Sequence, residues 1–243
     1  VIVDNREGLF DAPGERIRQL CERRTGIGAD GLILLEHSDM GDFRMVYYNA
    51  DGKLSTLCGN GGRCLVSFAA RLGLAGNEVE FEAIDGLHRA RIEEDMVTLF
   101  MSDVERVDEK YLGYFVDTGS PHYVQVMDEL SGWNVNGQGR RIRFEQFGPE
   151  GANINFVQVL DTGRIQVRTY ERGVEAETLS CGTGVTAASI ALHAKGQLDK
   201  DEIEIQTPGG ILRVGFDRDS GGGYRNVYLK GPATFVYEGV LTI

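Results

Sequence analysis

The chain has 243 residues, 42% of them hydrophobic, with four cysteines and a net charge of −12. That is enough chain for one large or two modest domains, and the acidic balance argues against nucleic acid or an anionic membrane as partner, since both need a basic face. No apolar run approaches the ~20 residues of a membrane span, no signal-like start is visible, and the cysteines are too sparse for a disulfide scaffold, so the expected setting is the reducing cytoplasm.

The chain opens without Met on Val1-Ile2-Val3-Asp4, which reads as a strand. Pro13 to Arg23 reads as a short helix with Ile17, Leu20 and Cys21 inward. Phe43 to Tyr48 alternates as a strand and runs into Asn49-Ala50-Asp51-Gly52, a turn sequence. Cys58-Gly59-Asn60-Gly61 then opens a helix over 62–72, with Cys64, Leu65, Phe68, Ala69 and Leu72 expected on its inward face. Further strands are expected at Glu78–Ala83, Val97–Met101 and Ile165–Tyr170. Tyr170 leads into Glu171-Arg172-Gly173, and Cys181-Gly182-Thr183-Gly184 opens a second helix, Val185–Ala194, apolar nearly all round and therefore buried. Strands Glu202–Gln206 and Asn226–Leu229 follow, and Gly73 and Gly196 stand where helix ends favour positive φ.

The two cysteine-glycine cassettes, at 58 and 181, are 123 positions apart, and much else repeats at nearly the same interval. Asp4 aligns with Asp128, Arg16-Ile17-Arg18 with Arg141-Ile142-Arg143, Tyr48 with Tyr170, and the strand from Glu78 with that from Glu202. Offsets between 122 and 125 through helical and extended stretches alike predict one topology used twice. The expected fold is α+β, with two pseudo-symmetric domains from an internal duplication, each a set of mostly antiparallel strands rolled around a central helix. The expected domains are 1–102, carrying Cys58, and 103–235, carrying Cys181, with a C-terminal strand over 236–243 returning to the first. The second copy's loop Thr118-Gly119-Ser120-Pro121-His122 has no counterpart before Val1, which leads to the expectation of a segment preceding it.

A thiol at the entrance to a helix feels the positive end of the dipole, which lowers its pKa from ~8.5 toward neutrality. The flanking glycines let backbone N–H groups approach a carboxylate. Two such termini facing one substrate would put its α-carbon between two sulfurs, one removing a proton and the other returning one to the opposite face. Stereoinversion needs that geometry, and donors aimed at the carboxylate would stabilise the enolate-like charge that develops. Neither cassette brings the ligand set of a zinc site, so no metal and no cofactor is expected. Cys21 and Cys64 are expected to be buried structural residues, and His37, His88 and His193 are read as structural.

The segments NADGKLSTLCGNGGRC and YERGVEAETLSCGTG, together with GIGADG, SPH and GANINF, resemble diaminopimelate epimerase across essentially the whole chain. The resemblance implies interconversion of LL- and meso-2,6-diaminopimelate without pyridoxal phosphate, in the bacterial route to lysine and peptidoglycan. It implies that Cys58 and Cys181 are the catalytic pair and that the amides of Gly59, Asn60, Gly182 and Thr183 hold the reacting carboxylate. Asn49, Asn153 and Arg172 match positions that bind the distal amino-acid group, and His122 and Glu171 match an auxiliary catalytic pair. Three departures stand out: Ser120 replaces a common Asn, one extra residue lies between Glu171 and Cys181, and a GNDF-like N-terminal motif is missing. The implied partner is a small-molecule amino acid, and a homodimer is compatible with the chain. The alternatives are a proline or hydroxyproline racemase or epimerase, which lacks a distal group for Asn49, Asn153 and Arg172 to hold, a non-catalytic amino-acid binder, and a thiol redox sensor.

Overall fold

A computed structural model describes residues 1–11, 13–55 and 57–240. The chain forms two compact units: unit 1 comprises Val1–Leu57, Gly61–Val97 and the tail from Gly231, and unit 2 comprises Cys58–Asn60 with Thr98–Lys230. Cys58, expected with the N-terminal half, thus groups with unit 2, and the first boundary falls at 97 rather than 102.

Unit 1 contains β1 (Ile2–Asp4), α1 (Gly14–Cys21), β2 (Gly31–Glu36), β3 (Phe43–Asn49), β4 (Leu54–Ser55), α2 (Gly59–Arg71) from its third residue, β5 (Glu78–Ala83), β6 (Gly86–Glu93) and the start of β7 (Met96–Phe100). Unit 2 contains β8 (Asp108–Lys110), β9 (Gly113–Asp117), β10 (Pro121–Val126), α3 (Val135–Phe147), β11 (Asn153–Asp161), β12 (Arg164–Glu171), β13 (Ala176–Thr178), α4 (Gly182–Ala194), β14 (Glu202–Thr207), β15 (Gly210–Arg218) and most of β16 (Tyr224–Pro232). The fold is α+β.

The duplication is visible in the pairing. In unit 1, β1 pairs parallel with β2, β2 antiparallel with β3, β3 parallel with β5, and β5 antiparallel with β6, with β4 hung on β3. In unit 2, β10, β11, β12, β14 and β15 repeat that sequence of parallel and antiparallel pairs, with β13 hung on β12. The registers agree too: Leu32↔Tyr48 recurs as Ile154↔Tyr170, and Val79↔Ala90 as Ile203↔Val214. One alignment moves. Asn5 N–H donates to Leu35 O at 2.8 Å and Met127 N–H to Val157 O at 2.8 Å, so Asn5 matches Met127 and Asp4 matches Val126, not Asp128.

Unit 2 is built around α4. Val185, Ala187, Ala188, Ile190, Ala191 and Leu192 form one buried cluster with side chains from β9 to β12 and β14 to β16. Each fully buried Val, Ile or Leu contributes roughly 1.5–3 kcal/mol of transfer free energy, so the helix is the main anchor of this layer. The opposite face of the same strands packs on α3, where Ile142 meets Tyr123, Ile154, Phe156 and Tyr170. Side chains alternate along a strand, so placing those four on the α3 side puts His122, Asn153, Asn155, Thr169 and Glu171 on the α4 side.

Two expectations about helix faces part ways. On α1, Ile17, Leu20 and Cys21 are buried as expected. On α2 the buried stripe is Gly62, Leu65, Val66 and Ala69, spaced i, i+3, i+4 and i+7, which leaves Cys64 and Leu72 exposed instead of inward. Gly73 and Gly196 do take positive φ, at 72° and 70°. Residues 233–240 form no strand, and 241–243, the end of the expected C-terminal strand, lie outside the described residues.

Candidate functional site

Cys181 caps α4 in an extended conformation, and Gly182 and Thr183 begin the helix. The first N–H groups of a helix have no partner within it, so they face outward as donors. Cys58 stands directly before α2, and the two cassettes touch through bare backbone. A Cβ added to Gly182 would lie 3.3 Å from Gly59 Cα and 2.8 Å from Leu229 Cδ2, so any larger residue has to push Leu229 and Gly59 aside. The side-chain amide of Asn60 donates to Ser180 O at 2.9 Å, which ties the first cassette to the strand end before the second.

Cys181 does not follow the expectation of a depressed thiol pKa. Burial, joined by the negative charge of Glu171, pushes it up to about 12, while hydrogen bonds from Thr183 and the Gly184 N–H pull the other way and Cys58 adds a smaller upward push. Magnitudes explain the outcome: a helix terminus contributes about 0.3–2 kcal/mol, or at most about 1.5 pKa units, whereas full burial shifts a group by up to 3–5 units. The thiol is 6% exposed, so burial wins.

His122 is fully buried on the α4 side of β10. Its Nε2 lies 2.9 Å from Ser120 Oγ and its Nδ1 3.1 Å from the Asn155 side-chain amide. Burial first, and the Arg172 guanidinium second, drive its pKa down to about 3, so the imidazole is neutral. Ser120 Oγ donates to Thr183 Oγ1 at 3.3 Å, and Thr183 Oγ1 lies 3.5 Å from Cys181 Sγ. Thr118, fully enclosed beside this loop, donates its hydroxyl to Thr183 O at 3.0 Å.

Asn153 uses both ends of its amide internally. Its Oδ1 accepts from the Arg172 N–H at 2.8 Å, and its Nδ2 lies 3.4 Å from both Ser120 Oγ and Pro121 O. Arg172 is exposed, with Nη1 donating to Glu150 O at 2.8 Å. Between Glu171 and Cys181 the chain makes a turn in which Glu175 N–H donates to Glu171 O at 2.8 Å and Glu175 adopts φ 56°. Asn49 lies in unit 1, where its N–H and carbonyl close the turn with Lys53 and Gly52 at 2.9 Å each. Unit 2 therefore holds Cys58, Gly59, Asn60, His122, Asn153, Glu171, Arg172, Cys181, Gly182 and Thr183.

Sequence reasoning passed over Asn155 and the side chain of Thr183. Asn155 is fully buried, holds His122 Nδ1, and sits so close to Gly184 that a Cβ there would be 2.4 Å from its Oδ1. Its spacing of two from Asn153, with only apolar residues between and directly after them in Ile154, Phe156 and Val157, was the available signal. His193 is structural as read, its Nδ1 2.9 Å from the Tyr224 hydroxyl. Among the described residues no group of three or more His, Cys, Asp or Glu could hold a metal ion, and no helix is long and apolar enough to cross a membrane.

The sequence profile of diaminopimelate epimerase matches residues 1–107 and 114–236. The chain belongs to the diaminopimelate epimerase family. It is 50% identical over 241 residues to the diaminopimelate epimerase of Flavobacterium psychrophilum, covering 98% of this chain and 94% of that one. It is 40% identical to the diaminopimelate epimerase of Aquifex aeolicus, covering 100% and 93%. As a member of the diaminopimelate epimerase family it is an isomerase acting on a small amino-acid substrate. The fold is shared more widely. A phenazine biosynthesis protein of the PhzF family from Bacillus anthracis matches with a TM-score of 0.78 at 16% identity, over 100% of this chain and 92% of that one. A probable proline racemase from Agrobacterium radiobacter matches at 0.69 and 18%, over 96% and 82%.

Proposed function

We propose that the protein interconverts LL- and meso-2,6-diaminopimelate, with Cys58 and Cys181 as the two acid/base groups. The observation that carries this reading is the close approach of Gly59 and Gly182, which brings the two helix starts together so that the backbone N–H groups of Gly59, Asn60, Gly182 and Thr183 would face one substrate carboxylate. Held there, the α-carbon would lie between the sulfurs. One thiolate takes the α-proton while the opposite thiol gives its proton to the other face, so the enzyme ends with thiol and thiolate exchanged. Because Cys181 is strongly held in its thiol form, it is suited to act as the donor in the direction that uses Cys58 as the base. The backbone donors stabilise the negative charge that develops on the carboxylate.

In this reading Arg172 grips the distal carboxylate with the donors not engaged by Glu150, as guanidinium favours bidentate pairing. Asn153 serves the same distal group, and His122 and Glu171 tune or orient the reacting centre. Four cysteines in 243 residues are too sparse for a disulfide scaffold, which suits a reduced enzyme working in the cytoplasm, in the route to lysine and peptidoglycan.

The test is proton NMR of LL-diaminopimelate in D₂O with reduced enzyme. Loss of the α-proton signal with growth of the meso isomer is expected, and Cys58→Ser and Cys181→Ser should each abolish net epimerisation. A Cys181→Ser enzyme that epimerises in both directions would overturn the two-base reading, and turnover of proline in place of diaminopimelate would overturn the substrate.

A further inference from the structure

The hydrogen bonds around His122 have a direction. Asn155 Nδ2 donates to Tyr123 O at 3.1 Å, and its Oδ1 accepts from the Thr169 hydroxyl at 2.9 Å, so the amide orientation is set by its neighbours. Its Nδ2 therefore points a donor at His122 Nδ1, 3.1 Å away, which must accept. The Asn153 amide nitrogen also faces Nε2, but at 3.5 Å and with Ser120 Oγ and Pro121 O closer to it, so the shorter Asn155 contact decides. A neutral imidazole with Nδ1 accepting carries its proton on Nε2. That proton is donated to Ser120 Oγ, which also faces the Asn153 Nδ2 donor at 3.4 Å. With both lone pairs of Ser120 engaged, its own proton goes to Thr183 Oγ1, and the Thr183 proton is left for Cys181 Sγ.

We propose that Ser120 and Thr183 are positioning residues: their hydroxyls carry a one-way chain of donors from His122 to the Cys181 sulfur and so set how readily that sulfur bears negative charge. The proposal rests on the reading of Cys181 as an acid/base group and adds how its charged form is supported. Each turnover that uses Cys181 as the donor leaves a thiolate in a buried site, where an unsupported charge is costly. A hydrogen bond to an ionised acceptor is about twice as strong as a neutral one, and donors in a chain polarise one another. The chain needs no proton to move along it. His122 stays neutral, and the hydroxyls only have to be held in the donating orientation, which the Thr118 bond to Thr183 O and the pairing of His122 with Asn155 secure. Ser120 is central, because its hydroxyl joins His122 on β10 to Thr183 in the turn that carries the sulfur.

Thiolate, not thiol, reacts with iodoacetamide, so the alkylation rate of Cys181 at pH 8, followed by peptide-resolved mass spectrometry, reads the thiolate fraction. Cys58 in the same sample is the reference. Ser120→Ala is expected to slow alkylation of Cys181 about tenfold relative to Cys58, the equivalent of about one pKa unit. Thr183→Val should slow it similarly, and Thr183→Ser should preserve the wild-type rate. A purely structural role has the opposite sign, since loosened packing would expose the sulfur and speed its reaction. An unchanged or faster rate in Ser120→Ala overturns the proposal. Failure of the wild-type enzyme to exchange substrate α-protons in D₂O would instead overturn the epimerase reading, and the alkylation result would stand apart from it.

Discussion

At the scale of single residues, the site is governed by burial more than by dipoles. His122 shows this most plainly: its pKa falls from 6.5 to about 3 because the folded protein excludes the charged form. Between those values the unfolded chain binds a proton that the native state refuses, so stability rises with pH across that window and is lost as acid is added below 6.5. The slope from one proton is at most about 1.4 kcal/mol per pH unit. Urea unfolding of wild type and His122→Gln at a series of pH values should show the wild type losing stability faster on acidification from 6.5 toward 4. Equal pH dependence in the two proteins would mean that His122 is protonated in the native state. None of this was legible from the residue itself, since histidine after a proline fits a surface turn as well as a sealed pocket. What decides is the neighbouring strand, through Asn155 and Thr169.

At the scale of elements, α4 was readable and β11 was not. A helix apolar all round has one fate, and Ile190 is fully buried at the middle of it. Ile190→Ala should cost about 2–5 kcal/mol in denaturant unfolding, while Ile211→Ala, at a half-exposed position on β15, should stay within about 0.5 kcal/mol. Similar losses at both positions would contradict the picture of α4 as the anchor of unit 2. The strand β11 carries Asn153, Ile154, Asn155 and Phe156 in plain alternation, yet alternation says only that two residues share a face. That the asparagine face is the one closed by α4 depends on where α3 packs, which is information held by distant residues. The same limit explains Cys64: the helix period was right, but the choice of stripe was decided by neighbours outside the helix.

At the scale of the whole molecule, the duplication was the most legible feature, because a repeated topology leaves its interval along the entire chain. The structure refines it: the register of β2 on β3 recurs in β11 on β12, and only the Asp4 alignment had to move by two residues. The units do not divide the cassettes one apiece, for Cys58–Asn60 groups with unit 2 although the chain on both sides of it belongs to unit 1. A fragment spanning 98–230 retains the whole α4 core but lacks the first cassette. It should unfold cooperatively on heating and show no epimerisation by NMR. Activity in that fragment would mean that the first cassette is dispensable, and a non-cooperative transition would mean that residues 98–230 do not fold as a unit by themselves.

The contact between Gly59 and Gly182 also bears on how this site could evade an inhibitor. Resistance usually arises when a side chain that touches the drug is exchanged for one that does not. A compound held by the backbone N–H groups at these turns offers no such side chain at Gly59 or Gly182. A larger residue at position 182 would not reach the compound first; it would have to displace the Leu229 side chain and press on Gly59 Cα, at a cost to the fold of the site itself.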